Sequence, residues 1–200
     1  MNVFQELLRP EMSVWRYALI IGALSSVSLG IVGTMVVTRR ISSLAGAASH
    51  AALGGIGVAL FLQQMLLPWF APMLGAVIGS VSAALVVGVV NLYAREREDT
   101  IINVVWALWM SIGLIFLHWT SGYVDLQGYL FGNILLVTRT EIYMTLGLDL
   151  LILIPTLLFY NNILAMSFDG TFAELRGVRV KLIYFLLLVL TALAIVLLIN

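Results

Sequence analysis

The sequence predicts an all-α integral membrane protein, a polytopic helix bundle with about six spans. Of its 200 residues, 62% are hydrophobic and only 10% are charged, and the mean hydropathy is +1.09. A soluble domain usually carries about 25% charged residues. Short polar stretches also separate apolar runs long enough to cross the hydrocarbon core as helices. We therefore expect one transmembrane domain over residues 1–200.

Six apolar runs are long enough, or nearly so, to span a bilayer. They are Val14–Val37, Ile41–Leu62, Phe70–Tyr93, Ile101–Trp119, Ile142–Leu164 and Leu182–Asn200. The shorter apolar stretch Gly128–Val137 is predicted to be a re-entrant or interfacial helix. Pro155 lies inside the fifth run and is expected to kink it, because proline removes a backbone donor. No polar tail follows the sixth run, so we expect the C-terminal part of a longer bundle to be missing.

Basic residues in the short loops predict the orientation. With six spans, one side of the membrane receives seven of the ten Lys and Arg residues. These seven are Arg39, Arg40, Arg95, Arg97, Arg176, Arg179 and Lys181. Because cytoplasmic loops are enriched in Lys and Arg, this side is predicted to be cytoplasmic. The N-terminus would then lie outside.

Composition and missing motifs exclude several kinds of function. The formal net charge is zero, which argues against nucleic acid as a partner. The chain has no cysteine, so zinc–thiolate and iron–sulfur sites are excluded. It contains no G-x-x-x-x-G-K-[ST] loop for ATP, no H-E-x-x-H and no G-x-S-x-G. We therefore do not expect an enzyme.

Small residues predict where the helices approach each other closely. Lipid provides no hydrophobic drive for helix association, so interfaces are enriched in glycine, alanine and serine. The second run carries Gly46, Gly54 and Gly57, and the third carries Gly75 and Gly79 four residues apart. We expect these glycines to allow tight packing among the first three spans.

Two ionisable side chains lie near the middle of predicted spans, His50 in the second and Asp149 in the fifth. Ionisable groups at this depth mark functional sites. An imidazole and a carboxylate together suit a divalent first-row metal or a proton. His50 could instead hydrogen-bond a neighbouring helix as part of packing. Contact between His50 and Asp149 is inferred from depth alone. A metal pathway, a proton-coupled carrier and a non-conducting scaffold or sensor all remain open.

The longest predicted cytoplasmic loop, residues 165–181, contains a short amphipathic segment. Thr171 and Glu174 have the spacing of a capping box, and Gly177 suits the C′ position that ends a helix. The apolar and charged residues of this segment are Phe168, Phe172, Leu175, Asp169, Glu174 and Arg176. Such a helix could lie on the membrane surface or dock in a groove of a cytoplasmic partner.

Three stretches together carry a resemblance to a known family. They are "RRISSLAGAASHAALGGIG", "VDLQGYLFGNILLV" and "LAMSFDGTFAELRGV", in this order. With them, the chain resembles the transmembrane permease of zinc/manganese-type metal ABC importers, the ABC-3 family, over essentially its whole length.

The resemblance implies a permease subunit that imports a divalent metal ion by alternating access. Zinc is the first expected cargo, followed by manganese or iron. The resemblance also implies three partners: a cytoplasmic ATPase, an extracytoplasmic metal-binding lipoprotein and a second permease copy. The membrane would be the plasma membrane of a bacterium or archaeon. The chain itself would bind no cofactor, and Zn²⁺ or Mn²⁺ would be its cargo. The coupling helix would comprise Phe168, Asp169, Phe172, Glu174, Leu175 and Gly177.

The chain departs from the family pattern at two points. Many members have an aspartate one helical turn before the histidine that matches His50, and here that position is Gly46. The metal ligand His50 therefore needs a second ligand on another helix, for which we predict Asp149. Members also have about eight spans, whereas about six are predicted here.

Overall fold

The computed structural model describes residues 13–94, 98–120 and 139–199, which form eight α-helices and no strand. The predicted all-α membrane bundle is confirmed. The helices are α1 (Ser13–Thr38), α2 (Ser43–Met65), α3 (Pro72–Ala94), α4 (Glu98–Trp119), α5 (Arg139–Leu158), α6 (Tyr160–Phe168), α7 (Gly170–Leu175) and α8 (Val180–Ile199). The predicted short helix Gly128–Val137 lies outside the described residues.

The fifth predicted span, Ile142–Leu164, is not one continuous helix. Five helices are each long and apolar enough to cross a membrane: α1, α2, α3, α4 and α8. Helices α5 and α6 are long and apolar enough only when they are taken together as one span. They are bent by 66° at the break between them. Pro155 stays inside α5, and the break follows at Phe159. Proline leaves one i→i−4 hydrogen bond unmade, which weakens the ladder just before the break.

Helix α2 packs against α3, α4 and α8. Gly54, Gly57, Gly75 and Gly79 all lie where an added Cβ would collide with backbone atoms of a neighbouring helix. Gly55, directly opposite Gly75, is equally closed in. Bare backbone surfaces therefore touch here, as in other membrane helix pairs rich in small residues.

Gly46 differs from its predicted packing role. An added Cβ there would meet no described atom within 4 Å. Gly46 is exposed on the outer face of α2, because the neighbouring helices cover the opposite face of its first turns. It leaves open space one turn before His50.

Helices α1 and α5 run in the same direction, as contacts at two depths show. Ser28 of α1 hydrogen-bonds Asp149 of α5 near the middle of the helices. Beyond the end of α1, Arg39 donates through Nη1 to the carbonyl oxygen of Met166 in α6 at 3.2 Å. Helix α8 closes the bundle against α1, α3 and α5.

The short helix α7 begins differently from the predicted capping box. Asp169, and not Thr171, is the N-cap: its Oδ1 accepts from the backbone N–H groups of Thr171 at 2.9 Å and Phe172 at 3.0 Å. A carboxylate one residue outside the helix reaches these orphan donors directly. At the other end, Gly177 occupies the predicted C′ position with φ of +82°, and its N–H donates to the backbone carbonyl oxygen of Glu174.

Candidate functional site

His50 lines a groove of about 230 Å³ between α2 and α4. Its ring lies against Trp106 of α4, with centroids 5.0 Å apart and an interplanar angle of 43°. The Nδ1 atom is buried and finds no hydrogen-bond partner among the described residues. An unpartnered imidazole nitrogen in a membrane-embedded groove is available to bind a metal ion or a proton.

Other polar groups continue along the same groove. Ser43 and Asn103 line it together with His50. Below them, Ser43 Oγ donates to Asp99 Oδ1 at 3.2 Å. Asp99 and Asn103 are four residues apart on α4, as are Gly46 and His50 on α2, so each pair shares one helix face. Polar side chains therefore run from the beginning of α4 to His50.

Asn103 was not identified by sequence analysis as part of this site. Its only sequence signal is the spacing from Asp99, which places both on one side of α4. That spacing does not show that this side of α4 faces His50.

Asp149 is buried in a different place, between α1 and α5. It is 3% exposed, and its Oδ1 accepts a hydrogen bond of 2.5 Å from Ser28 Oγ. The second carboxylate oxygen, Oδ2, has no partner in the described part of the chain. One turn before Ser28, the buried Ser25 Oγ is likewise without a hydrogen-bond partner there. Ser28 therefore ties Asp149 to α1.

The structure does not bring the predicted ligand pair together. Helix α2, which carries His50, packs on α3, α4 and α8, whereas α5, which carries Asp149, packs on α1, α6 and α8. No group of three His, Asp or Glu side chains that could hold a metal ion occurs in residues 13–94, 98–120 and 139–199. Similar depth in the membrane did not make these two residues neighbours, because the helices between them decide which faces meet.

Ser28→Ala is expected to destabilise the protein by about 1–3 kcal/mol, because it leaves the buried Asp149 carboxylate without its donor. Thermal unfolding of the purified protein in detergent measures this loss. Ser26→Ala is the matched control, since Ser26 is exposed and its hydroxyl bonds only the carbonyl of Ala23 in its own helix. Equal stability of the two variants would contradict the assigned role of the Ser28–Asp149 contact.

Helix α7 and the last residue of α6 present an exposed apolar surface at the end of the bundle, called here the α7 surface. Phe168 and Leu175 are each 84% exposed and Phe172 is 51% exposed. The Arg176 guanidinium lies over the Phe172 ring, 4.9 Å from its centroid. On the opposite face, Ala173 is fully buried and anchors the helix. Asp169, Glu174 and Gly177 are exposed beside this surface.

Comparison with known proteins identifies the chain's family. A sequence profile of the ABC 3 transport family matches residues 11–200. The chain belongs to the ABC 3 transport family. A probable metal transport system membrane protein of Chlamydia pneumoniae is 45% identical over 177 residues, which are 88% of this chain and 60% of that protein. The manganese transport system membrane protein MntC of Halalkalibacterium halodurans is 32% identical, covering 90% of this chain and 60% of MntC.

A solved structure has the same fold. PsaBC from Streptococcus pneumoniae, in complex with Fab, matches with a TM-score of 0.79 and 28% sequence identity. The match covers 98% of this chain and 69% of the PsaBC chain. The chain spans about three fifths of the length of the curated relatives it matches. The His50 groove and the α7 surface are the two features of this chain whose function is considered next.

Proposed function

We propose that this chain is the permease subunit of an ABC importer for a divalent metal ion, and that the ion passes His50. The observation that carries the proposal is the unpartnered Nδ1 of His50 in the groove between α2 and α4. The family membership supports it. Metal uptake measured with the His50→Ala variant tests it.

Manganese is the first candidate for the cargo and zinc the second. Relatives of this chain are named manganese transport system membrane proteins or a manganese import permease, which reverses the order expected from sequence. The groove offers the imidazole of His50 and the amide oxygen of Asn103, and Asp99 lies next to it through its hydrogen bond with Ser43. Nitrogen and oxygen ligands without thiolate suit manganese as well as zinc. Weak binding at a site of this kind lets the ion leave again.

A second permease copy would close the groove and supply the remaining ligands. Within one chain the groove has a side that the described residues leave open, and Trp106, which lines the groove, is 43% exposed. Gly46 leaves room beside His50 for groups of the partner. The metal would therefore pass between two permeases, received from an extracytoplasmic lipoprotein.

Asp149 has a different role in this proposal from the one expected. It binds α1 through Ser28, and α5 continues through the 66° bend into α6 and then α7. We assign it to holding α5 in place, and not to the ion that His50 contacts. The alternative of a proton relay needs His50 and Asp149 to exchange a proton, and their separate surroundings do not favour it.

The surface of α7 would receive the ATPase that powers alternating access. Its side of the membrane is then the cytoplasmic side, in agreement with the distribution of basic residues. A short helix with Phe172 and Leu175 exposed, next to the exposed Phe168 at the end of α6, suits a hydrophobic groove on a partner. ATP hydrolysis belongs to that partner chain.

Phe172→Asp is expected to abolish co-purification of the ATPase subunit, because it places a charge at the centre of the α7 surface. Co-purification through a tag on the permease, at equal permease yield, measures the effect. Tyr93→Asp is the control: Tyr93 is 74% exposed at the end of α3, on the same membrane side as α7. Retention of the ATPase by Phe172→Asp, or equal loss with Tyr93→Asp, would contradict docking at α7.

A further inference from the structure

A separate cavity of about 640 Å³ lies beside the bend between α5 and α6. Phe159, the residue at the bend, forms one wall. Arg176 and Arg179, from the connection between α7 and α8, line another part of it. The first turns of α8 complete it with Leu182 and Leu186. The cavity thus joins a polar loop to the beginning of a membrane span.

The polar part of the cavity carries positive charge. The side chains of Arg176 and Arg179 are both exposed, and Asn162 adds an amide beside them. None of the described lining residues is acidic. The turn at Gly177, with φ of +82°, lets the chain reverse so that both arginines line one cavity. Stacking on Phe172 restricts the position of the Arg176 guanidinium.

The apolar part of the cavity lies on the membrane side. Leu182 and Leu186 are four residues apart on α8 and share one face of that helix. Leu182 is 57% exposed, so this face is not covered by the described bundle. Among the described spans, α8 is the most hydrophobic. An occupant of the cavity therefore meets guanidinium groups at one end and hydrocarbon at the other.

We propose that this cavity binds an anionic glycerophospholipid of the leaflet on the α7 side. Arg176 and Arg179 hold the phosphate, since guanidinium groups form paired, charge-assisted hydrogen bonds with phosphate oxygens. The acyl chain lies along Leu182 and Leu186. Basic pockets at the polar end of membrane helices suit anionic headgroups. A soluble phosphate would use the arginines alone, and the apolar wall therefore favours the lipid.

This lipid site is independent of the metal path. Its residues come from the bend, the α7–α8 connection and α8, whereas the His50 groove is formed by α2 and α4. The test of this site measures lipid binding and not metal uptake. If the lipid did not bind, the proposed transport function would not be affected.

The test titrates the purified protein in detergent with phosphatidylglycerol and counts the bound lipid by native mass spectrometry. Phosphatidylcholine is the zwitterionic reference. The double variant Arg176→Gln/Arg179→Gln is expected to weaken phosphatidylglycerol binding at least about tenfold, since hydrogen bonds to charged groups are lost. Lys181→Gln is the matched control: it removes the same charge two residues after Arg179, at a position that does not line the cavity. It is expected to bind as the parent does.

Two further variants separate the lipid from a soluble anion. Leu182→Asn/Leu186→Asn is expected to weaken phosphatidylglycerol binding while leaving any binding of inorganic phosphate unchanged. Arg176→Lys/Arg179→Lys keeps both charges without the guanidinium fork, and it is expected to bind between the parent and the glutamine variant. It also gives a readout if the glutamine variant fails to fold.

Three results would overturn the proposal. The first is phosphatidylglycerol binding by the folded double arginine variant at the parental level. The second is equal loss of binding with Lys181→Gln, which would indicate general surface attraction. The third is inorganic phosphate displacing the lipid while the leucine variant binds normally, which would indicate a soluble anion site.

Discussion

Metal uptake is expected to fall about tenfold or more when His50 is replaced by alanine, because loss of a metal-contacting group costs at least about 1.4 kcal/mol along the path. The substitution removes the unpartnered Nδ1 from the groove. It does not remove a described hydrogen bond of that atom, so the fold is expected to persist. The initial rate of radiolabelled manganese uptake, in cells that carry the complete transport system, measures the effect.

His118→Ala is the control for this experiment. His118 lies in the last turn of α4 and is exposed, away from the groove around His50. Uptake with His118→Ala is expected to match that of the parent. His50→Gln tests the chemistry further, because an amide keeps hydrogen bonding but is a poorer ligand than imidazole for transition metals. Parental uptake by His50→Ala, at equal abundance in the membrane, would refute the proposed path.

Gly55→Ala is expected to destabilise the protein by about 1–3 kcal/mol or more, the usual cost of overpacking a tight interface. An added Cβ on Gly55 would collide with the carbonyl oxygen of Gly75, and the Cα of Gly79 is also close. Every one of these neighbours is backbone, so no flexible side chain can move aside. Helix α2 would have to shift away from α3. Thermal unfolding in detergent and the yield of monodisperse protein measure the loss.

Gly22→Ala and Gly147→Ala are the matched controls. Both glycines are helical, and an added Cβ at either would meet no described atom within 4 Å. Alanine at such positions is expected to gain about 0.5–1 kcal/mol, because it restricts the unfolded chain. If Gly55→Ala proved as stable as these controls, the contact between α2 and α3 would not be as close as described.

The positions of the helices could be predicted from sequence because they depend on local composition. A run of apolar residues long enough to cross the bilayer has only the helix available for its backbone hydrogen bonds. The predicted first span, Val14–Val37, accordingly lies within α1, Ser13–Thr38. The prediction of the fifth span was less accurate. Pro155 predicted a kink in this helix, but not that the helix ends and bends by 66° at Phe159.

The residue that caps the start of α7 could not be predicted from the sequence pattern. Thr171 and Glu174 have the spacing of a capping box, and Asp169 is itself a good N-cap residue. Both readings are allowed by the local sequence. Asp169 is the residue that accepts the orphan N–H groups in the structure. Gly177 could be placed at C′ beforehand because a positive φ there favours glycine.

The sequence by itself determined that this is a polytopic helical membrane protein, where most of its described helices lie and which two ionisable side chains lie near the middle of spans. Only the tertiary structure decided their neighbours. It placed His50 beside Trp106 and in line with Asn103, and Asp149 against Ser28. Depth follows from position along a helix at about 1.5 Å per residue. Which helix faces which depends on close contacts between distant segments, such as Gly55 and Gly75, and no local pattern contains that information.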